Sequence, residues 1–195
     1  MKKIILFLQL IFSIGMSAQT TVESVQVADM DEGAPICGKS IDLHKRILQA
    51  YNCDSTLIVF ACDTTKKGKN TDTGYLYSLD ANTLEVQWQK SLKLSLSKLY
   101  GVCSKGVLLS STLKSTGKSL LTLSDTKTGR SLWTQYLYPV YFNDSLDIVI
   151  GLEKVGGSKT YAYRLSTGML LWDAEIPMTK NVGWKDACMV DSTHL

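Results

Sequence analysis

The chain has 195 residues, 45% of them apolar and 20% charged, with 21 basic against 18 acidic side chains. Such a length can bury a sizeable core, and so close a charge balance gives no electrostatic footprint for nucleic acid or an anionic membrane surface.

Met1-Lys2-Lys3 is a short basic head, Ile4 to Ile14 is an apolar run broken only by Gln9 and Ser13, and Gly15, Ser17 and Ala18 are small. That order is the order of a secretory signal peptide, and the run is shorter than the roughly 20 residues that span a bilayer. Cleavage is expected after Ala18, so residues 1–18 are removed and Gln19 becomes the new terminus. No Cys stands at that point to accept a lipid, so the expected product is exported to the periplasm or the extracellular space, with no stable membrane insertion. Loss of Lys2 and Lys3 brings the charges still closer to balance. In residues 19–46, Thr20 to Val27 alternates and is expected to supply an outer strand that closes a ring.

From residue 47 to 195 the chain repeats. Leu48 to Cys53 and Thr56 to Ala61 flank Asp54-Ser55; Leu99 to Cys103 and Val107 to Leu113 flank Ser104-Lys105-Gly106; Val140 to Phe142 and Leu146 to Leu152 flank Asn143-Asp144-Ser145. Each pair is followed by an alternating segment: Tyr75, Tyr77 and Leu79; Leu121 and Leu123; Tyr161, Tyr163 and Leu165. A polar turn then leads into a strand ending on Trp88, Trp133 or Trp172. The tryptophans lie 45 and 39 residues apart, within the period of roughly 40 to 50 residues of propeller blades. Four antiparallel strands per unit make the chain all-β, a partial β-propeller of about three and a half blades. The expected blades are 47–92, 93–137 and 138–176, with 177–195 an incomplete fourth in which Asp191-Ser192 repeats the first turn. The leading reading of that incomplete blade is truncation of a longer parent, and the second is assembly with another chain.

The turn and tryptophan phrase resembles the tryptophan-docking motif, Ala-x-Asp-x-x-Thr-Gly-x-x-x-Trp, of the PQQ-type, quinoprotein-like β-propeller repeat. Asp125, Thr128, Gly129 and Trp133 match it in the second unit, and Ala162, Thr167, Gly168 and Trp172 in the third. The first unit keeps Asp80, Thr83 and Trp88 but has Leu84 in place of Gly, and the third has Arg164 in place of Asp. These departures bear on turn geometry. A blade cannot bury both faces alone, so an indole near the outer strand fills the wedge against a neighbour. Trp88, Trp133, Trp172, Gly129, Gly168, Asp80 and Asp125 are therefore expected to serve blade docking rather than a sugar-stacking surface.

No catalytic, cofactor or metal constellation accompanies the repeat. His44 and His194 are far apart in sequence, and His44 reads as a surface residue among basic neighbours. Lys66, Lys67 and Lys69 read as a solvated loop, and Gly156-Gly157-Ser158 as a hairpin turn. Asp54, Asp144 and Asp191 recur in phase, as cation ligands around a channel would, but Asp-Ser is an ordinary turn opening and turn chemistry is the preferred reading. The five cysteines, Cys37, Cys53, Cys62, Cys103 and Cys188, are an odd number without a C-x-x-C pair. Most are expected as buried thiols, with a disulfide from Cys37 to Cys53 or Cys62 the alternative.

The reading is a non-enzymatic, exported propeller without a cofactor that offers its loops to protein partners and can self-associate through an open blade edge. It resembles the scaffold propellers of bacterial envelopes, including the lipoprotein subunit of the outer-membrane assembly machine, whose lipid-bearing Cys is missing here. The alternative is a fragment of a PQQ-dependent dehydrogenase-like quinoprotein. That family needs about eight blades, calcium ligands and commonly a vicinal Cys pair, none of which is visible in this sequence.

Overall fold

The computed structural model describes residues 22–28 and 36–175. The expected signal peptide and the segment 177–195, with Cys188, Asp191 and His194, lie outside the described residues. Every regular element among those described is a strand.

β1 (Val22–Ala28) and β2 (Ile36–Ile41) pair antiparallel, Val22 opposite Ile41, as a two-stranded sheet. The N-terminal segment thus contributes a hairpin where sequence alternation indicates a single strand, because Ile36–Ile41 carries too little period-two pattern to be read as one. Three four-stranded antiparallel sheets follow, each a meander in chain order. The first comprises β3 (Arg46–Cys53), β4 (Thr56–Thr64), β5 (Asn70–Asp80) and β6 (Val86–Lys93). The second holds β7 (Ser97–Cys103), β8 (Gly106–Thr112), β9 (Ser119–Ser124) and β10 (Ser131–Tyr136). The third has β11 (Tyr138–Asn143), β12 (Ile148–Leu152), β13 (Lys159–Arg164) and β14 (Leu170–Glu175). These sheets are propeller blades, and the chain is a partial β-propeller.

The chain divides into two compact units, one up to Lys90 and one from Ser91. In the first, Ile41 of β2 is buried with Val59, Ala61, Tyr77 and Leu79, and Leu43, Leu57, Tyr75 and Leu84 pack against that cluster. The hairpin β1–β2 therefore lies on a face of the first blade. Lys39 fastens it further by donating from Nζ to the Asn82 carbonyl at 2.7 Å. In the second unit, Cys103, Leu108, Leu121, Leu123, Trp133, Leu137, Val149 and Leu165 form one cluster drawn from the second and third blades. Alternation along the strands supplies these inward residues, and stacking the two blades removes them from water. Gly101 of β7 allows a close approach: a Cβ there would stand 2.6 Å from the Phe142 ring of β11.

Cys62 and Cys103 are buried and Cys53 is half-buried, all three as thiols, while the side chain of Cys37 lies outside what the structure describes. The Cys103 thiol donates to the Gly106 carbonyl at 3.4 Å.

Candidate functional site: the blade-docking turns

The three turns before the tryptophan strands share one backbone geometry. Leu84 N–H donates to Asp80 O at 2.8 Å, Gly129 N–H to Asp125 O at 3.0 Å, and Gly168 N–H to Arg164 O at 2.8 Å. The return bonds also match: Asp80, Asp125 and Arg164 donate to the carbonyls of Glu85, Arg130 and Met169. Closing the turn puts its fifth residue in the left-handed region, with φ of 62° at Leu84, 67° at Gly129 and 68° at Gly168. The departures at Leu84 and Arg164 leave this backbone unchanged.

Side chains differ more than backbone does. Asp80 Oδ1 accepts from the amides of Asn82 and Thr83 at 2.8 and 2.9 Å. Asp125 Oδ1 accepts from the amides of Lys127 and Thr128 at 3.1 and 2.7 Å, and from Thr128 Oγ1 at 2.8 Å. These bonds hold both carboxyls below the usual carboxylate range: the Thr83 amide acts first on Asp80, and the Thr128 hydroxyl first on Asp125. In the third turn Asp147, from the preceding hairpin, takes over. Its carboxylate accepts from Ser166 N–H at 2.7 Å and from Ser166 Oγ at 2.6 Å, while its carbonyl accepts from Leu165 N–H at 2.9 Å. Asp147 was not legible as this substitute, because it lies 19 residues from Ser166 and only the sheet brings them together.

Trp133 sits on the third turn. Its Nε1 donates to the Leu165 carbonyl at 2.8 Å, and the indole is only 9% exposed. A Cβ on residue 168 would stand 2.6 Å from the indole Cγ, so this contact requires glycine both for space and for φ. Gln135, two residues further along β10, donates from Nε2 to the Gly168 carbonyl at 2.9 Å. Trp172, at the matching place on β14, is 40% exposed. Trp88 lies half-buried on β6.

A second link between these blades joins their first hairpin turns. Asp144 accepts from Ser104 N–H at 2.7 Å and from Ser104 Oγ at 2.8 Å. Its carboxylate thus bonds 40 residues away rather than within its own turn, which corrects the local-turn reading. Asp54, in the equivalent hairpin of the first blade, has a φ of 53°. Among the described residues, no three His, Cys, Asp or Glu side chains converge as a metal site would require.

At the other end of the first blade, Asp63 accepts from Lys45 Nζ at 2.5 Å and from Tyr75 Oη at 2.8 Å. Lys45 Nζ also lies 4.5 Å from the Tyr75 ring centroid. The Lys45 bond holds the Asp63 carboxyl low, and the same bond raises the Lys45 ammonium. His44 is an exposed surface residue, as expected, and its Nδ1 lies 3.0 Å from Asp42 Oδ2.

One signal in the sequence was missed. Asp29, Gly33 and Cys37 have the same four-residue spacings as Asp125, Gly129 and Trp133. In that phase Ile41 corresponds to buried Leu137, and Lys39, bonded to Asn82, corresponds to Gln135, bonded to Gly168. The strand β2 thus carries the sequence phase of a tryptophan strand, unread because Cys37 stands in place of the tryptophan.

No protein-family model matches the chain. No curated protein matches it. Solved structures do: a europium-containing methanol dehydrogenase is 12% identical with a TM-score of 0.47, over 80% of this chain and 39% of that one. The β-propeller domain of the Trilobed protease from Pyrococcus furiosus is 6% identical with a TM-score of 0.44, over 69% of this chain and 44% of that one. BamB from Moraxella catarrhalis is 15% identical with a TM-score of 0.31, over 65% and 50%. The match spans half or less of each of these proteins.

Proposed function

We propose that the protein is an exported, non-enzymatic propeller of the cell envelope, periplasmic or extracellular, that serves as a scaffold for protein partners. The supporting observation is that the docking residues between the second and third blades, and the aspartates beside them, are taken up by packing. Trp133, Gly168, Asp125, Asp144 and Asp147 are each committed to turns or to blade contacts. Recognition then falls to the loops and open edges. The outer strand β14, with Leu170, Leu171 and Trp172 exposed, is the edge through which self-association would occur.

The test is recovery from envelope extract on the immobilised chain, run beside titration with PQQ and calcium read by tryptophan fluorescence and thermal shift. A specific protein recovered in stoichiometric amount supports the scaffold. Micromolar binding of PQQ with calcium overturns it in favour of a quinoprotein fragment.

A further inference from the structure

Exposed tyrosines and lysines gather together at one end of the second unit. β8 ends at Thr112 and β9 begins at Ser119, so Lys114 and Lys118 stand in the loop at one end of the second blade. β10 finishes at that same end with Tyr136, whose ring centroid lies 5.6 Å from Lys118 Nζ. Leu137 then donates to Ser119 O at 3.0 Å, and Tyr138 opens β11 opposite Leu152, the last residue of β12. The loop after Leu152 carries Lys154 and Val155, turned back by Gly157 N–H donating to Lys154 O at 2.9 Å. Lys114, Lys118, Tyr136, Tyr138, Lys154 and Val155 therefore form one contiguous end of the two blades.

All six side chains face water. Tyr136 is 57%, Tyr138 39% and Val155 69% exposed, and the three lysines are exposed as well. Glu153 is the acid in the same loop. Asp173 and Glu175 nearby are engaged by Lys159, at 3.6 Å, and by Ser158 Oγ, at 3.2 Å. At the opposite end Asp125, Asp144 and Asp147 accompany Lys105, Lys127, Arg130 and Arg164, and no tyrosine there is so exposed.

From this juxtaposition we propose that the Lys114–Tyr136–Val155 end of the second and third blades is a peripheral docking surface for an anionic bilayer. Tyrosine rings and lysine stems suit the headgroup layer, where an apolar body and a polar tip are both satisfied. Lysines add attraction to anionic lipid, and a protruding valine reaches the acyl boundary. A protein partner fits less well, since lysine is depleted from the cores of protein interfaces.

The test is cosedimentation of residues 19–195 with vesicles of phosphatidylglycerol and phosphatidylethanolamine, and with vesicles of phosphatidylcholine alone. Binding is expected to the anionic vesicles only and to disappear in about 0.5 M salt. The variant K114Q/K118Q/K154Q should bind about a hundredfold more weakly. Y136S/V155S, which alters only exposed side chains, should bind about tenfold more weakly at unchanged melting temperature. K105Q/K127Q/R130Q at the opposite end should bind like the parent chain. Equal affinity for both lipids, binding to neither, or an equal loss in the opposite-end variant would overturn the proposal. So would a Y136S/V155S variant that binds as the parent does, with displacement by soluble polyglutamate, which would mark a site for acidic protein.

Discussion

Leu84 occupies the turn position that Gly168 occupies two blades later, and the two share a left-handed backbone at φ of 62° and 68°. The difference lies in what comes against them. Trp133 lies on Gly168 and leaves no room for a Cβ, whereas Leu84 packs on the cluster around Ile41, a residue of a strand with cysteine at the tryptophan position. Leucine endures a strain of about 1 to 2 kcal/mol there because its side chain fills space that no indole claims. Leu84→Gly should thus relieve strain yet still lose about 0.5 to 1 kcal/mol, as apolar contact and chain entropy outweigh the gain. A chemical denaturation midpoint above that of the parent chain would contradict this balance.

Gly168→Ala and Gly117→Ala separate backbone strain from crowding. Gly117 has a φ of 67°, and a Cβ there would meet nothing within 4 Å, so alanine should cost about 1 kcal/mol at that position. At Gly168 the same change also drives a Cβ into the Trp133 indole, and a loss of more than about 2 kcal/mol is expected. Urea titration of both variants measures the difference, and equal losses would refute the contact.

Trp133→Ala should cost about 3 to 5 kcal/mol. Trp133→Phe keeps much of the buried area but leaves the Leu165 carbonyl without its indole donor, for about 1 to 3 kcal/mol. Trp172→Ala, on the exposed indole, should stay within about 1 kcal/mol. Thermal melts of the three variants test that ranking.

Ser104 and Asp144 should be energetically coupled. In a double-mutant cycle of Ser104→Ala and Asp144→Ala, a coupling of about 1 kcal/mol is expected for two hydrogen bonds at an exposed site. Additive losses would show that the clasp contributes nothing to holding the second blade to the third.

Acid should weaken the fold through Asp63, Asp80 and Asp125, whose carboxyls are all held low. A depressed folded-state value means the stabilisation is present above the unfolded value of about 3.9 and is lost as pH falls through the folded values. Lys45 is raised, so its share is complete below about 10.4 and is lost as pH rises through its folded value. Melting temperature should be flat between these limits and fall below about pH 4. Asp63→Asn and Asp125→Asn should each flatten that acid limb, which a melting series in citrate and acetate would reveal.

Alternation, the spacing of Trp88, Trp133 and Trp172, and the Asp and Gly turns were enough to read four strands per unit, because each is a local consequence of strand pleat and turn chemistry. The hairpin β1–β2 escaped because Cys37 interrupts the phrase and local pattern was the only signal available. Contacts over long separations were decided by tertiary structure alone. Asp147 replacing the missing turn aspartate at Ser166, Asp144 reaching Ser104, and Trp133 rather than Trp172 being covered all depend on which strands stack, since burial and partner are properties of the neighbour and not of the residue.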